Sequence, residues 1–409
     1  MNAGQAQPLA VVTEWGVRGA IALAALLLAI AVAGAFYRRA ILRAQPLPLS
    51  TTASVAALAS LAAWFSPVLF SSDVYAYAAY GELARLGLDP YVHAAIARGD
   101  PLLADANWQW APSTPLGTSS VFPVCVYGPA FVALAKAIVI ALAPFGTLAQ
   151  LDGMRVTAVL ALLACIPLAY AAYRGDRAAR LLAAATIGLN PVALWCAVEG
   201  HNDALALCFV LAGFALARTR SAAAGAAVVA LSSLIKLPGA GAAIALAAVN
   251  PRARVGAAVG IAIAAAISMP LLRAVATQVA PHGAYAPAAS VAAVLAPLGA
   301  VPASLFAIAV AAALAFRGIA HLRSARADGW LWLGIAAWAL IPNPYPWYAL
   351  WLTALAAGAP RTRAAAVALL LGFTSLLRYV PDAVATPSPP LAAALGIAAS
   401  LPLLGALRS

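Results

Sequence analysis

The stretch LPLSTTASVAALASLAAWFSPVLFSSDVYAY, residues 47–77, joins a long apolar run to a polar segment. The run from Leu47 to Phe70 is long enough to cross a bilayer, which takes about 20 apolar residues. Asp73 follows almost directly, so the sequence predicts a carboxylate at the water-facing end of a membrane helix. Ionisable residues at such positions are candidates for functional sites.

The whole chain has the composition of an integral membrane protein. Of its 409 residues, 65% are hydrophobic and 9% are charged, and the mean hydropathy is +0.95; soluble domains have about 25% charged residues. The net charge of +12 does not indicate a nucleic-acid partner, because only two of the 24 basic residues are lysine and the arginines form short clusters between apolar runs. The four cysteines show no metal-binding or disulfide spacing, and no metal site is predicted from them.

Hydropathy predicts an all-α polytopic membrane protein without a separate soluble domain. The first apolar stretch ends in Arg38 and Arg39, which favours a retained anchor over a cleaved signal peptide. The predicted helices lie near residues 18–36, 48–70, 127–146, 155–173, 181–198, 203–218, 221–235, 238–249, 255–272, 291–316, 329–341, 346–359, 364–380 and 391–407.

The arginine clusters orient these helices, because basic residues are enriched on the cytoplasmic side of membrane proteins. All clusters fall on one side if the segment 127–146, which carries Lys136, lies in the membrane without crossing it. The cytoplasmic face then has 16 basic and two acidic residues, and the outer face has eight basic and ten acidic residues. This predicts about 13 spans in one domain, 1–409, with the N-terminus outside. The first large outer loop, 71–154, would hold juxtamembrane helices, and its part up to 126 would be mostly non-helical.

Polar residues gather at the outer helix ends, where they are costly to hold near lipid unless they line a wet cavity. The sequence therefore predicts an outward-facing polar chamber. Its four candidate segments are Ser71–Asp73 with Tyr75 and Tyr77, Glu199–Asp203, Lys236–Pro238, and Pro342–Tyr348.

Asp73 is the candidate catalytic residue. As a general base it could take the proton of an acceptor hydroxyl that attacks an activated donor, and one carboxylate suffices if the leaving group is a phosphate. The alternative is a helix cap, because Ser-Ser-Asp before an apolar segment is a good helix start. Tyr75, Tyr77 and Glu82 are candidate substrate-binding residues beside it.

His201, Asn202 and Asp203 are candidates for binding sugar hydroxyls. No cofactor is predicted, although together with Glu199 these residues could also bind a divalent cation. The alternative is an interhelical turn in which Asn202 or Asp203 caps the next helix. The aromatic residues Tyr345, Trp347 and Tyr348 could stack on a substrate, or they could belong to an interfacial belt.

Four basic residues on the outer side depart from the cytoplasmic bias. Lys236, Arg378, Arg155 and Arg273 are therefore candidates for holding a donor phosphate. Each could equally extend its side chain to the lipid headgroups.

Several of these motifs resemble a known family. The Asp73-Val-Tyr-Ala-Tyr run, Gly87-Leu-Asp-Pro-Tyr91, Tyr127-Gly-Pro129, His201-Asn-Asp-Ala204, Lys236-Leu-Pro238 and Pro346-Trp-Tyr348 are similar to actinobacterial polyprenol-phosphate-mannose-dependent α-(1→6)-mannosyltransferases of the GT-C class. The resemblance runs from about residue 48 to 380. It implies a GT-C fold, Asp73 as the catalytic base, and the 201–203 turn as a second site motif.

The resulting hypothesis is an inverting glycosyltransferase of the cytoplasmic membrane. It would move a hexose, most plausibly mannose, from a polyprenyl-phosphate donor to a hydroxyl of a lipid-linked or other glycan acceptor, at a site facing the periplasm or the outside. A lipid-linked donor is consistent with the lack of a nucleotide-binding glycine-rich loop. The alternatives are a lipid or polysaccharide transporter, which would place charges at the membrane midplane, and a non-catalytic subunit of an envelope complex.

Overall fold

A computed structural model describes residues 17–43, 45–65, 73–92, 95–96, 115–116, 119–121, 125–276, 287–378 and 389–407. In chain order, its α-helices are α1 Val17–Arg43, α2 Leu49–Trp64, α3 Asp73–Arg85, α4 Pro129–Leu142, α5 Thr147–Ala172, α6 Arg177–Gly188, α7 Pro191–Val198, α8 Asp203–Thr219, α9 Ala222–Leu231, α10 Pro238–Val249, α11 Arg254–Ile267, α12 Met269–Ala274, α13 Ala300–Arg323, α14 Gly329–Ala339, α15 Ala349–Ala357, α16 Arg363–Thr374, α17 Pro389–Ser400 and α18 Leu404–Leu407. Short 3₁₀ turns flank several of them.

The described architecture is helical and confirms the predicted all-α class, and one small antiparallel sheet accompanies the helices. Its strands are β1 Ala95–Ile96, β2 Pro115–Leu116 and β3 Ser119–Val121, in the order β1-β3-β2. Ala95 pairs with Val121, and Pro115 pairs with Ser120. Strands this short leave too little periodicity in the sequence to predict a sheet.

The chain divides into two compact units. The first unit comprises the described parts of Ser60–Ala172 and Ala197–Ala284, and the second comprises those of Gln7–Ala59, Tyr173–Cys196 and Tyr285–Ser409. In the first unit α5 packs on α8, α8 on α9, and α9 on α11, while α3 packs on α4 and both contact α5. In the second unit α13 packs on α14, and α15 packs on α16 and α6. The prediction of a single domain stays a prediction.

The helix α3 lies where mostly non-helical structure was expected. Ten consecutive residues, Val74 to Leu83, are buried in it. A helix that is covered on all sides needs no polar face, so its sequence lacks the periodic pattern of an amphipathic helix. The chain therefore buries this helix at the place where the sequence suggested an open loop.

The membrane-spanning segments are confirmed only in part. Within the described ranges, α5 and α13 are long and apolar enough to cross a membrane, and α6 with α7, which meet at a bend of 47°, form a third candidate as one broken span. Several shorter apolar helices accompany them, α4 among them, and Lys136 on α4 is exposed. The helices and their apolar spans describe a membrane protein, and the prediction of about 13 spans stays a prediction.

Two boundary predictions are wrong. α5 begins at Thr147, eight residues before the predicted start, and thus includes the charged residues Asp152 and Arg155, which pair with each other inside the helix. The predicted helix 181–198 is broken at Asn190. There the side-chain oxygen of Asn190 accepts hydrogen bonds from the backbone N–H groups of Val192 (2.9 Å) and Ala193 (3.3 Å) and starts a new helix.

Candidate functional site

Asp73 is the first residue of α3, and its carboxylate is held by tyrosines. Its Oδ2 atom accepts hydrogen bonds from the hydroxyl of Tyr127 at 3.1 Å and from that of Tyr77 at 3.4 Å. The Asp73 side chain remains 21% exposed, whereas its partner Tyr77 is fully buried. The carboxylate is thus both oriented by the protein and accessible.

The surroundings of Asp73 act on its pKa in opposite directions. Burial raises the pKa above the ordinary value, and this effect is the largest. The positive charge of Lys236 and the hydrogen bond from Tyr127 lower it, while the negative charge of Asp203 raises it. A carboxyl whose pKa is raised binds a proton more readily than one in water, as a general base requires.

Tyr127 owes its position to a close approach of two backbone segments. The N–H of Gly128 donates a hydrogen bond to the carbonyl oxygen of Ile235 at 3.0 Å. A Cβ atom on Gly128 would lie 2.1 Å from the carbonyl oxygen of Leu234, so only glycine permits this contact. The Tyr127 ring then meets the edge of the Tyr77 ring, with 4.9 Å between centroids. The segment 127–129 thereby connects Asp73 with the turn at Lys236.

The turn that carries His201, Asn202 and Asp203 packs against α3. Gly200 adopts a φ of +90°, and a Cβ atom there would be 2.9 Å from Cγ2 of Val74. This turn brings Nδ1 of His201 to 3.7 Å from Oδ2 of Asp73, which is beyond hydrogen-bond distance. Burial, with the nearby charge of Lys236, lowers the pKa of His201 well below its usual range. The imidazole is therefore neutral at physiological pH.

Asn202 and Asp203 continue this turn into α8. Asn202 is buried and lines a crevice together with Phe131 of α4 and Met154 of α5. Asp203 is the first residue of α8 and is 1% exposed. Its Oδ2 atom lies 2.5 Å from Nζ of Lys236, and the two form a buried ion pair. Lys236, predicted to hold a phosphate, is thus neutralised by a neighbouring carboxylate.

Four other predicted site residues of the first unit, Tyr75, Glu82, Arg155 and Arg273, differ in burial and in their contacts. Tyr75 is buried within α3. Glu82 is also buried, and its two carboxylate oxygens accept hydrogen bonds from the guanidinium group of Arg85 in a bidentate ion pair. Arg155 donates hydrogen bonds to the carbonyl oxygens of Val198 at 2.7 Å and Trp64 at 3.1 Å. Arg273 lies on α12 and is exposed. Of these four, Arg155 has the contacts of a residue that ties helix ends together.

The aromatic candidates and Arg378 form a cluster in the second unit. The rings of Tyr345 and Trp347 are stacked, with 4.3 Å between centroids and 8° between planes, and Tyr348 meets both at their edges. Arg378 is 8% exposed and donates a hydrogen bond to the Tyr345 hydroxyl at 3.0 Å. Its guanidinium carbon is 4.7 Å from the centre of the Tyr345 ring. The structure therefore joins these four predicted residues to one another.

Tyr127 is the residue of the Asp73 cluster that was absent from the predicted site residues. It stands 54 positions from Asp73, so local pattern does not connect the two. The available signal was the Tyr127-Gly128-Pro129 motif, which was counted toward the family resemblance but was not assigned a role in the site. Among the residues that the structure describes, no three His, Cys, Asp or Glu side chains are grouped to hold a metal ion. The prediction that the protein uses no cofactor, with a divalent cation left open, stays a prediction.

The fold and the site together describe a helical membrane protein with a hydrogen-bonded carboxylate near a buried ion pair. The chain belongs to the family described as "Alpha-(1->6)-mannopyranosyltransferase, N-terminal domain", whose model matches residues 3–254. The predicted resemblance to this family is confirmed.

One curated relative is the "Alpha-(1->6)-mannopyranosyltransferase A" of Mycobacterium tuberculosis. It is 38% identical over 78 residues, which cover 18% of this chain and 13% of the relative. No solved structure matches the chain.

Proposed function

We propose that the protein is a membrane mannosyltransferase that uses a polyprenyl-phosphate sugar as donor and Asp73 as general base. The observation that carries the proposal is the partly exposed Asp73 carboxylate, held by Tyr127 and Tyr77, in a chain of the α-(1→6)-mannopyranosyltransferase family. The acceptor is a hydroxyl of a lipid-linked or other glycan, and the enzyme works in contact with membrane lipids.

The reaction needs one proton acceptor. Asp73 takes the proton of the acceptor hydroxyl while the acceptor oxygen forms a bond to C1 of the sugar. The bond between C1 and the donor phosphate oxygen breaks on the opposite side, and the polyprenyl phosphate leaves with the bonding electrons. The configuration at C1 is inverted. The phosphate leaves as an anion and needs no second carboxylic acid to protonate it, unlike the leaving group in glycoside hydrolysis.

Candidate substrate contacts are proposed for each unit by itself. In the first unit Tyr77, His201 and Asn202 are next to or near Asp73 and supply candidate contacts for sugar hydroxyls. In the second unit Arg378 is the proposed ligand of the donor phosphate, because its guanidinium group is held against Tyr345. An arginine fork suits a phosphate better than a lysine that is already paired. The stacked pair Tyr345 and Trp347 offers an aromatic surface to the sugar or the isoprenoid.

The test is Asp73→Asn in the purified protein. We expect transfer from a radiolabelled polyprenyl-phosphate sugar to fall at least ~10²-fold, because the amide keeps the shape of the carboxylate and removes its basicity. Donor binding should stay near normal. Asp176→Asn is the matched control, because Asp176 is an exposed cap of α6 and asparagine caps a helix equally well. Near-normal turnover by a folded Asp73→Asn protein would refute the proposal, and movement of intact donor across vesicles without transfer would favour the transporter hypothesis.

The proposal includes a GT-C fold with about 13 spans and a site that faces the periplasm or the outside. Its support is the arginine distribution, which orients the chain. Single cysteines at Val92 and Ser324, both exposed positions, test it in a background without the native cysteines. A membrane-impermeant thiol reagent added to intact cells should label the first and not the second. The reverse pattern would overturn both the orientation and the choice of a lipid-linked donor.

A further inference from the structure

The carboxylate of Asp73 is surrounded by charged and titratable groups from four segments. They are Tyr77 and Tyr80 on α3, Tyr127, His201 with Asp203 in the turn before α8, and Lys236 in the turn before α10. Tyr77 and Tyr127 donate hydrogen bonds to Asp73. His201 is neutral, and among the residues that the structure describes the charges that act on Asp73 are those of Asp203 and Lys236. These two lie 2.5 Å apart and face each other.

The ion pair is physically connected to Tyr127. Nζ of Lys236 lies 5.7 Å from the centre of the Tyr127 ring, within the range of a cation–π interaction. The same tyrosine presents its hydroxyl to Asp73. Gly128 and Ile235 are joined by a backbone hydrogen bond. This bond fixes the positions of the neighbouring residues Tyr127 and Lys236 relative to each other. Movement of the ion pair would therefore move the donor of the hydrogen bond to Asp73.

We propose that Tyr127, Asp203 and Lys236 act as positioning residues, which orient the Asp73 carboxylate and set the pH range in which it is ionised. The inference rests on the proposed role of Asp73 as base. It assigns Lys236 to the carboxylates of the site, in contrast with the prediction that Lys236 binds the donor phosphate. Asp203 and Lys236 then act through Asp73 and need not touch the substrate.

Lys236 and Asp203 act on the ionisation of Asp73 in opposite directions, so each residue offsets part of the effect of the other. A lysine alone would stabilise the ionised form of Asp73 and make it a weaker base, whereas an aspartate alone would keep it protonated at higher pH. At Asp73 the two charges act in opposite directions, with the effect of Lys236 the larger, and the hydrogen bond from Tyr127 also favours the ionised form. Removal of either member should therefore shift the ionisation of Asp73, and the two shifts should have opposite signs.

The experiment is the dependence of kcat/KM on pH for the full-length protein in detergent or lipid. We expect activity to fall on the acid side as Asp73 becomes protonated. In Tyr127→Phe this fall should move to higher pH by about one unit, since the ionised form loses a hydrogen bond. Lys236→Met should move it to higher pH, and Asp203→Asn should move it to lower pH. The double variant Asp203→Asn/Lys236→Met should place the acid fall between the positions of the two single variants.

A purely structural role would lower activity at every pH and leave the position of the acid fall unchanged. That result for Tyr127→Phe, or shifts of the same sign in Lys236→Met and Asp203→Asn, would overturn the inference. If Lys236→Met does not fold because Asp203 is left buried and unpaired, Asp203→Asn and the double variant decide the question.

Asp73→Asn separates the two proposals. If it is active, the proposed base is wrong and the inference falls with it. If it is inactive while the acid fall of Tyr127→Phe matches the wild type, only the inference fails.

Discussion

Two arginines lie against aromatic rings, Arg155 in the first unit and Arg378 in the second. The guanidinium carbon is 4.1 Å from the ring centre of Trp64 in one case and 4.7 Å from that of Tyr345 in the other. Arg155 donates to two backbone carbonyl oxygens at helix ends, whereas Arg378 donates to a tyrosine hydroxyl. The sequence suggested the same phosphate-binding role for both, and their contacts indicate different roles.

The contacts suit a structural role for Arg155 and the proposed donor-binding role for Arg378. The last carbonyl groups of a helix lack partners within the helix. Arg155 supplies hydrogen bonds to such groups at Trp64 of α2 and Val198 of α7. A tyrosine hydroxyl has no comparable need, because it can bind water or a substrate. We therefore expect substitution of Arg155 to change stability and substitution of Arg378 to change donor affinity.

Arg155→Met should have the largest effect, on stability. The change leaves two carbonyl groups without their donor and removes the cation from the Trp64 ring, so the free energy of unfolding should fall by about 3 kcal/mol. Denaturant unfolding in detergent measures it, and Arg273→Met, at an exposed position on α12, is the matched control. If Arg155→Met weakens donor binding at unchanged stability, Arg155 is a phosphate ligand after all.

Arg378→Gln should have the next largest effect, on donor affinity. A phosphate that loses a charge-assisted hydrogen bond should bind about 2 kcal/mol more weakly, roughly 30-fold. Titration with the polyprenyl-phosphate sugar measures the change, and Arg273→Gln should leave the affinity within about threefold. Superimposable titration curves for Arg378→Gln and the wild type would mean that the phosphate is held by another group.

Tyr345→Phe should have the smallest effect. It removes the hydroxyl that accepts from Arg378 and keeps the ring stacked on Trp347, so donor affinity should fall by about 1 kcal/mol or less. Tyr345→Leu removes the ring as well and should cost more. Equal affinities for the two variants would show that stacking of Tyr345 contributes nothing to binding, and would weaken the contrast between the two arginines.

Local signals in the sequence predicted some elements closely. The predicted helix 238–249 matches α10, Pro238–Val249, because Pro238 at its start is compatible with the first helical turn. The predicted helix 203–218 ends one residue before α8 does. Asp73 was identified because a carboxylate directly after an apolar run is unusual. These features depend on neighbouring residues, which a pattern can describe.

The contacts between distant segments could not be predicted in this way. The hydrogen bond from Tyr127 to Asp73 crosses 54 residues, and the ion pair of Asp203 and Lys236 crosses 33. Lys236 was predicted to bind phosphate because the sequence showed its charge and not its partner. Likewise the sequence offered a helix start at Asp73 only as an alternative, because tertiary burial and not an amphipathic pattern stabilises α3.

The backbone hydrogen bond from Gly128 to Ile235 can form only after the ribosome has added Ile235 to the chain. A ribosome adds about 5 to 20 residues per second, so roughly 5 to 20 seconds separate the synthesis of these two residues. During that interval Tyr127 has been made, but the backbone that aligns it with Asp73 has not. A nascent chain that stalls before Ile235 carries the carboxylate without its aligned partner. The Asp73 cluster can therefore be completed only after residue 235 has been made, and a chain truncated before Ile235 lacks the backbone partner of Gly128.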